Sequence, residues 1–191
     1  IEQTRTKLGH NRVVEEKIAT ARRLGNLFAD LKSSRKQAQR EQLEAAINQH
    51  FRILMTSHHL INRVEVNEDF GLHYLDAEGD HVGMGTLSAG MKQLMATALL
   101  WALSEVSGKQ FPLVVDTPLA RIDLAHQEAI LRDYYPNAAA QVIVLPTDAE
   151  LDARKLRLIA PHVYRAYRLT NLDGEHTIPE PVEVSDLIRE G

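Results

Sequence analysis

The sequence predicts an α/β fold: a mainly parallel sheet flanked by helices and closed by an edge hairpin, set behind an N-terminal helical arm. Three observations carry this expectation. Leu113–Val115, ending on Asp116, and Gln141–Leu145 are short apolar runs with a helical stretch between them, the pattern of parallel strands buried on both faces. From Val14 to Leu54 the apolar residues instead step by threes and fours, as on one face of a helix. Val163–Thr170 and His176–Pro179 flank "NLDGE" in the manner of an antiparallel hairpin.

Taken in order, the arm comes first. Ile18, Ala21, Leu24, Phe28 and Leu31 continue the stripe from Val14, and after a polar break at Arg35–Gln37 it returns at Leu43, Ile47, Phe51 and Leu54. This is one long amphipathic helix or two, and a single charge-rimmed stripe of that length needs a partner, as in a coiled coil. Residues 1–60 therefore read as a coiled-coil arm with its connecting helix, and 61–191 as a globular head. Basic residues outnumber acidic ones in the arm by roughly two to one, with Arg35, Lys36 and Arg40 clustered, which suits either a solvated helix face or a patch facing DNA. After Leu60, Val64–Val66 and Leu72–Leu75 alternate as strands, and Gly79-Asp80 makes a turn. A helix over Ser88–Ser107 ends at Gly108. Asp123–Tyr134 is helical, and Thr147 with Glu150 forms a capping box for a helix running through Ile159.

Composition narrows the function classes. The chain has 191 residues, 44% hydrophobic and 25% charged, enough for one filled domain with an appendage. It has no cysteine, so disulfides, thiolate metal sites and cysteine nucleophiles are excluded. No apolar run reaches the ~18 residues of a membrane span, so no membrane partner is expected and a cytoplasmic location fits. A net charge of -4 excludes a general polycation for nucleic acid, although a local basic surface remains open. The chain opens on Ile1 already in helical pattern and reads as a piece of something longer.

The strand ends carry the chemistry. Ligands of open α/β sheets gather beyond the carboxyl ends of the strands, where this sequence places Asp116-Thr117 and Thr147-Asp148. An aspartate closing an apolar strand can meet Mg²⁺ directly or through water; it can equally be a turn former. No phosphate-binding P-loop is present: the nearest approach, Gly108-Lys109-Gln110, lacks the upstream glycine and the hydroxyl. Ser88-Ala89-Gly90, opening a helix, is either a cap or a phosphate site. His58-His59 and the other histidines lack metal-ligand spacing. Trp101, Leu100 and Leu103 read as core, and Arg154, Lys155, Arg157, Arg165 and Arg168 as a solvated surface or a basic face toward DNA.

In their order, "LSAGMKQLMATALLWAL", "LVVDTPLARID" and "VIVLPTDAEL" resemble the C-terminal lobe of an ABC-type ATPase head of the SMC and RecF class, and within it the DndD family, ATPase subunits of bacterial DNA phosphorothioation systems. The resemblance runs from about Thr86 to Ile159. It implies ATP and Mg²⁺ as cofactors. Leu87, Ser88, Ala89, Gly90, Met91, Lys92 and Gln93 would be the signature motif, contacting the γ-phosphate held by the opposing head. Asp116 would be the Walker B aspartate, reaching magnesium through water, and Asp123 the D-loop residue communicating between heads. Implied partners are an N-terminal lobe bearing the P-loop, a second head in a homodimer, DNA and other phosphorothioation proteins.

Three positions depart from the family pattern. Thr117 stands where a glutamate usually polarises the attacking water, and a hydroxyl is a far poorer proton acceptor. The switch strand lacks its usual histidine, leaving Thr147 and Asp148 as candidates for sensing the γ-phosphate or orienting water. Met91 replaces a common glutamate in the first helical turn. Two other readings stay open: a different SMC-like repair or antiphage-defence ATPase, and a nonhydrolysing scaffold whose head only dimerises.

Overall fold

The computed structural model describes residues 2–55, 60–109, 111–117, 119–120, 122–171 and 174–190, with side chains of the first helix described from residue 14. His58-His59 and Gln110 lie outside the described residues.

The arm is one helix. α1 spans Glu2–Leu54, 53 residues, and passes through Arg35–Gln37 without a break, because neither proline nor glycine interrupts it there. Its first described stretch is exposed throughout: Val14, Ile18, Leu24, Phe28 and Leu31 all face solvent. From Leu43 the same stripe enters the core through Ile47, Phe51 and Leu54. From residue 14 on, the helix thus has two environments, an exposed stem and a buried root. At the root, side chains serve as backbone partners for β1 (Arg63–Val66): Asn48 accepts from the Val64 N–H at 2.9 Å and donates to its carbonyl at 2.7 Å, and Glu44 accepts from the Val66 N–H at 2.9 Å. This covers a strand edge that pairing with β2 (Leu72–Leu75) leaves open. Gly79, at φ +89°, forms the turn beyond β2, where the Asp76 carboxylate collects the N–H groups of Glu78 and Asp80.

α2 (Ala89–Ser107) starts at the N-cap Ser88 and stops at Gly108, whose φ of +62° suits glycine at a helix end. It packs along the α1 root. His50 of α1 stacks on Trp101 of α2 with ring centroids 3.9 Å apart, and Trp101 meets Tyr134 edge-on at 5.2 Å. Trp101 is core as expected, whereas Leu100 and Leu103 are 57% and 44% exposed: they occupy the face of α2 turned away from α1.

β3 (Leu113–Asp116) and β4 (Val142–Leu145) pair in parallel, in the register Asp116 to Leu145. Between them run α3 (Leu124–Ala129), a wide π turn over Ile130–Tyr134 and α4 (Tyr135–Ala138). The expected helix over Asp123–Tyr134 therefore continues past its predicted end. Pro136 has no N–H to give Arg132 and crowds that carbonyl, and the widened turn just upstream accommodates it.

The sheet differs from expectation. Among the described residues, three two-stranded sheets replace one mainly parallel sheet, and only β3–β4 is parallel. Nor is that pair buried on both faces. Leu113, Val115, Val142 and Val144 pack on the core, while Val114, Ile143 and Leu145 on the other face are 58%, 41% and 39% exposed. Two strands can bury one face against their own crossover helices, but covering the second takes another layer. The hairpin forms as β5 (Ala166–Asn171) and β6 (Thr177–Val182), a separate sheet rather than an edge of the parallel pair. Leu172 and Asp173 of its connection lie outside the described residues. α5 (Ala153–Ile159) is capped by Asp152, which accepts from the Lys155 N–H at 2.9 Å, so Thr147 is not its N-cap. α6 (Val184–Glu190) closes the chain. No described helix is long and apolar enough to cross a membrane.

Candidate functional site

The parallel ladder sets the site. Its last rung carries the Thr117 N–H to the Leu145 carbonyl at 3.1 Å, so Asp116-Thr117 and the segment entering Thr147-Asp148 leave the sheet side by side. Asp116, Thr117, Thr147 and Asp148 are all exposed at this edge. Thr117 has φ +48°, a left-handed backbone that costs a β-branched residue roughly 1–3 kcal/mol. The chain turns sharply there, immediately after the aspartate, while the last ladder bond holds it.

Thr147 and Glu150 do meet, but for another purpose than capping α5. Glu150 Oε2 accepts from the Thr147 N–H at 2.9 Å and from its hydroxyl at 3.1 Å, while Oε1 accepts from the Leu119 N–H at 2.9 Å. One carboxylate therefore bridges the loops after β3 and β4. Partial burial works to raise the Glu150 carboxyl, but the hydrogen bonds from Thr147, Leu119 and Ala120 outweigh it and hold the group below the usual carboxylate range. Gln127 grips the same loop from α3, donating to the Leu119 and Ile122 carbonyls at 3.1 and 2.7 Å. The sequence reading missed both Gln127 and the Leu119 bond. The Thr147/Glu150 spacing disclosed only the local half of the bridge.

Asp123 is the N-cap of α3, accepting from the His126 N–H at 3.2 Å, and its other oxygen lies 2.6 Å from His126 Nδ1. His126 is fully buried, which locks the capping carboxylate from below while its body stays exposed.

The Ser88 turn is built separately. Ser88 Oγ accepts from the Met91 N–H at 3.2 Å, and the Ser88 carbonyl from the Lys92 N–H at 3.1 Å; both bonds belong to its own helix. Leu87 and Met91 are buried core residues, Ser88, Ala89 and Lys92 are exposed, and Gly90 and Gln93 are half-buried. A ligand approaching from outside would thus face the Ser88 hydroxyl and backbone N–H groups at the positive end of a 19-residue helix. The methionine's burial explains its identity: a glutamate at position 91 would put a carboxylate in the core.

Asp116 suits magnesium. Among the described residues no hydrogen bond or ion pair engages its carboxylate, and an ion that keeps much of its water shell asks for little more from the protein. The described residues hold no group of three metal-ligating side chains, so any ion here would depend on other oxygen donors as well.

Among the basic residues toward the C-terminus, Arg154, Arg157, Arg165 and Arg168 are exposed, but most already have neighbours. Lys155 is buried, with Nζ 2.9 Å from the Glu150 carbonyl; Arg154 pairs with Glu128, Arg168 with Glu190, and Arg165 lies 5.3 Å over the Tyr164 ring. The arm cluster is freer: Arg35 and Lys36 are exposed, and Lys36 Nζ stands 6.0 Å from the Phe70 ring.

No family model and no curated protein matches the sequence. Solved structures do resemble the fold. An SMC head bound to the C-terminal winged-helix domain of ScpA superposes with a TM-score of 0.58 at 16% identity, over 78% of this chain and 45% of that one. The SMC head with coiled coil and joint from Pyrococcus yayanosii gives 0.55 at 17% identity, over 78% of this chain and 29% of that one. A third structure, described for ATP-driven dimerisation and DNA-stimulated activation of SMC ATPases, gives 0.54 at 18%, over 81% of this chain and 96% of that one. The chain thus spans less than half of the first two and nearly all of the third, and its fold resembles that of SMC heads.

Proposed function

We propose that this chain is the C-terminal lobe of a DNA-associated, SMC-like ATPase, working in ATP-dependent head dimerisation and hydrolysis, with DNA phosphorothioate modification as its setting. The observation that carries the reading is the shared edge of β3 and β4, where an exposed Asp116 and a strained Thr117 emerge beside Thr147-Asp148 on a fold resembling SMC heads. Asp116 holds Mg²⁺ through water. Ser88 and the N–H groups of the Ala89–Gln93 turn meet the γ-phosphate of ATP bound to a second copy, and Asp123 lies between the heads. ATP itself is bound by an N-terminal lobe with the P-loop, whose sheet covers the exposed Val114, Ile143 and Leu145. The exposed stripe of α1 pairs as a coiled coil, and its basic cluster faces DNA. Other phosphorothioation proteins complete the assembly, in the cytoplasm.

Thr117 favours a second reading, a nucleotide-gated scaffold that pairs its heads without turnover, because its hydroxyl cannot serve as an efficient base. One experiment separates the two. The chain alone is expected not to bind ATP, and to gain magnesium-dependent binding, dimerisation and slow hydrolysis when assembled with a P-loop lobe. Asp116→Asn should remove the magnesium-dependent step while keeping the fold. Dimerisation without hydrolysis establishes the scaffold. Micromolar ATP binding by the chain alone, or full ATPase activity in Asp116→Asn, sinks the split-head model.

A further inference from the structure

The two loops of the site are 31 residues apart in sequence, yet one side chain holds both. We infer that Glu150 is a positioning residue that fixes the Thr147-Asp148 loop against the Leu119–Asp123 segment, so that the two respond to nucleotide as a unit. This rests on the ATPase reading above and names the residue that coordinates its strand-end loops.

The geometry supports a dedicated role. Each carboxylate oxygen serves a different loop, Oε2 the N–H and hydroxyl of Thr147, Oε1 the N–H of Leu119. All three partners are donors, which only an ionised carboxylate can satisfy with both oxygens; an amide would turn its NH₂ toward one of the loops. Charge-assisted bonds of this kind are the stronger ones, and they are directional. Glu150 is itself anchored through its backbone, its N–H donating to the Thr147 carbonyl at 3.0 Å and its carbonyl accepting from the buried Lys155 ammonium at 2.9 Å. On the far side of the Leu119–Asp123 segment, Gln127 holds the Leu119 and Ile122 carbonyls. The segment ends on Asp123, fixed by His126. Displacing Thr147, whose hydroxyl is tied to Oε2, would therefore pull on Leu119 through Oε1, at a residue whose carbonyl Gln127 holds from the other side. Aspartate at position 150 would be one methylene short of spanning the gap, and alanine would leave both loops to water.

The test uses the chain assembled with its P-loop lobe, comparing wild type, Glu150→Ala and Glu150→Gln by hydrogen exchange and steady-state ATPase kinetics. In Glu150→Ala the amides of Leu119 and Thr147 should both exchange at least about tenfold faster, with α2 amides within twofold of wild type, and kcat should fall about tenfold while the KM for ATP stays within threefold. Glu150→Gln, with one acceptor oxygen left, should free one of the two amides and recover part of kcat; it also keeps the test in hand if the alanine variant folds poorly. Unchanged exchange at Leu119 overturns the bridge. Faster exchange with unchanged kcat, or kcat falling only in step with melting temperature, overturns the positioning role. If the wild-type assembly turns over no ATP, the ATPase reading falls and this role with it, while exchange still reports whether the loops are linked.

Discussion

Replacing Ser88 separates a helix cap from a contact made across two molecules. The cap bond is long, 3.2 Å, and its side chain is exposed, so its loss belongs at the low end of the usual range, about 0.5–1 kcal/mol. For a chain of this size that lowers Tm by about 1–4 °C. A hydroxyl donating to a phosphate on a second head is a charge-assisted bond worth roughly 1.5–3 kcal/mol, which corresponds to about a ten- to hundredfold change in association. The two roles therefore differ both in size and in observable. Ser88→Ala should lower Tm slightly and weaken ATP-driven dimerisation at least tenfold, and Ser88→Arg should block it, with ATP affinity at the same protomer's P-loop within threefold of wild type. The assay is sedimentation of the assembled heads with and without ATP, beside calorimetric ATP titration. Mixing Ser88→Arg heads with P-loop-defective heads should restore one composite site per dimer. If association and Tm decline together, or ATP affinity drops as far as dimerisation, the turn is a cap and the trans contact is refuted.

Further outcomes follow from the packing. His50→Ala opens a hole between α1 and α2 and should cost about 2–4 kcal/mol in urea unfolding. His50→Leu should stay within about 1 kcal/mol of wild type, since losing the stacking and the Glu105 bond is offset by removing Nδ1, which is buried without a hydrogen-bond partner among the described residues; equal losses in both variants would contradict the stacked geometry. Val114→Glu, on the exposed strand face, should leave the chain's own melting within about 2 °C, yet prevent assembly with the P-loop lobe, which a pull-down measures. Because the Glu150 carboxyl is held low, its bridge stabilises the fold above the ordinary carboxylate value of 4.5 and is lost as pH falls through its own lower value. Melting temperatures between pH 5 and 3 should thus fall more steeply for wild type than for Glu150→Gln.

The elements whose signal is local were legible in the sequence. Ser88 and Gly108 bracket α2 as read, because capping chemistry depends on a few neighbouring atoms. The apolar runs located β3 and β4 and their parallel sense. What they did not disclose was the bare outer face: an apolar run reads as buried whether its cover is folded from the same chain or arrives from another. The break at Arg35–Gln37 left one helix or two open for a related reason, since polar residues interrupt a stripe but not a helix. At the site, Asp116 and Thr117 were visible as a strand end, and Thr147 with Glu150 as a spacing. The reach of Glu150 to Leu119 was not, because spacing along the chain carries no trace of a bond between loops that the sheet alone brings together.

The unbroken length of α1 has a mechanical side. At 1.5 Å per residue its 53 residues make a rod of roughly 80 Å, with the root from Leu43 to Leu54 seated in the core, roughly 60 Å of helix ahead of it, and exposed apolar side chains along that stem from Val14 on. No glycine pair, proline or widened turn along the stem acts as a joint that could absorb bending. Tilting the root by about 5°, within what small shifts of packed helices achieve, would carry the far end about 5 Å. The same root rests on α2 through His50 and Trp101, and α2 begins at Ser88. A slight reseating of that helix pair would be magnified at the stem's tip, and a load applied at the tip would return to the Ser88 turn as a short, forceful displacement.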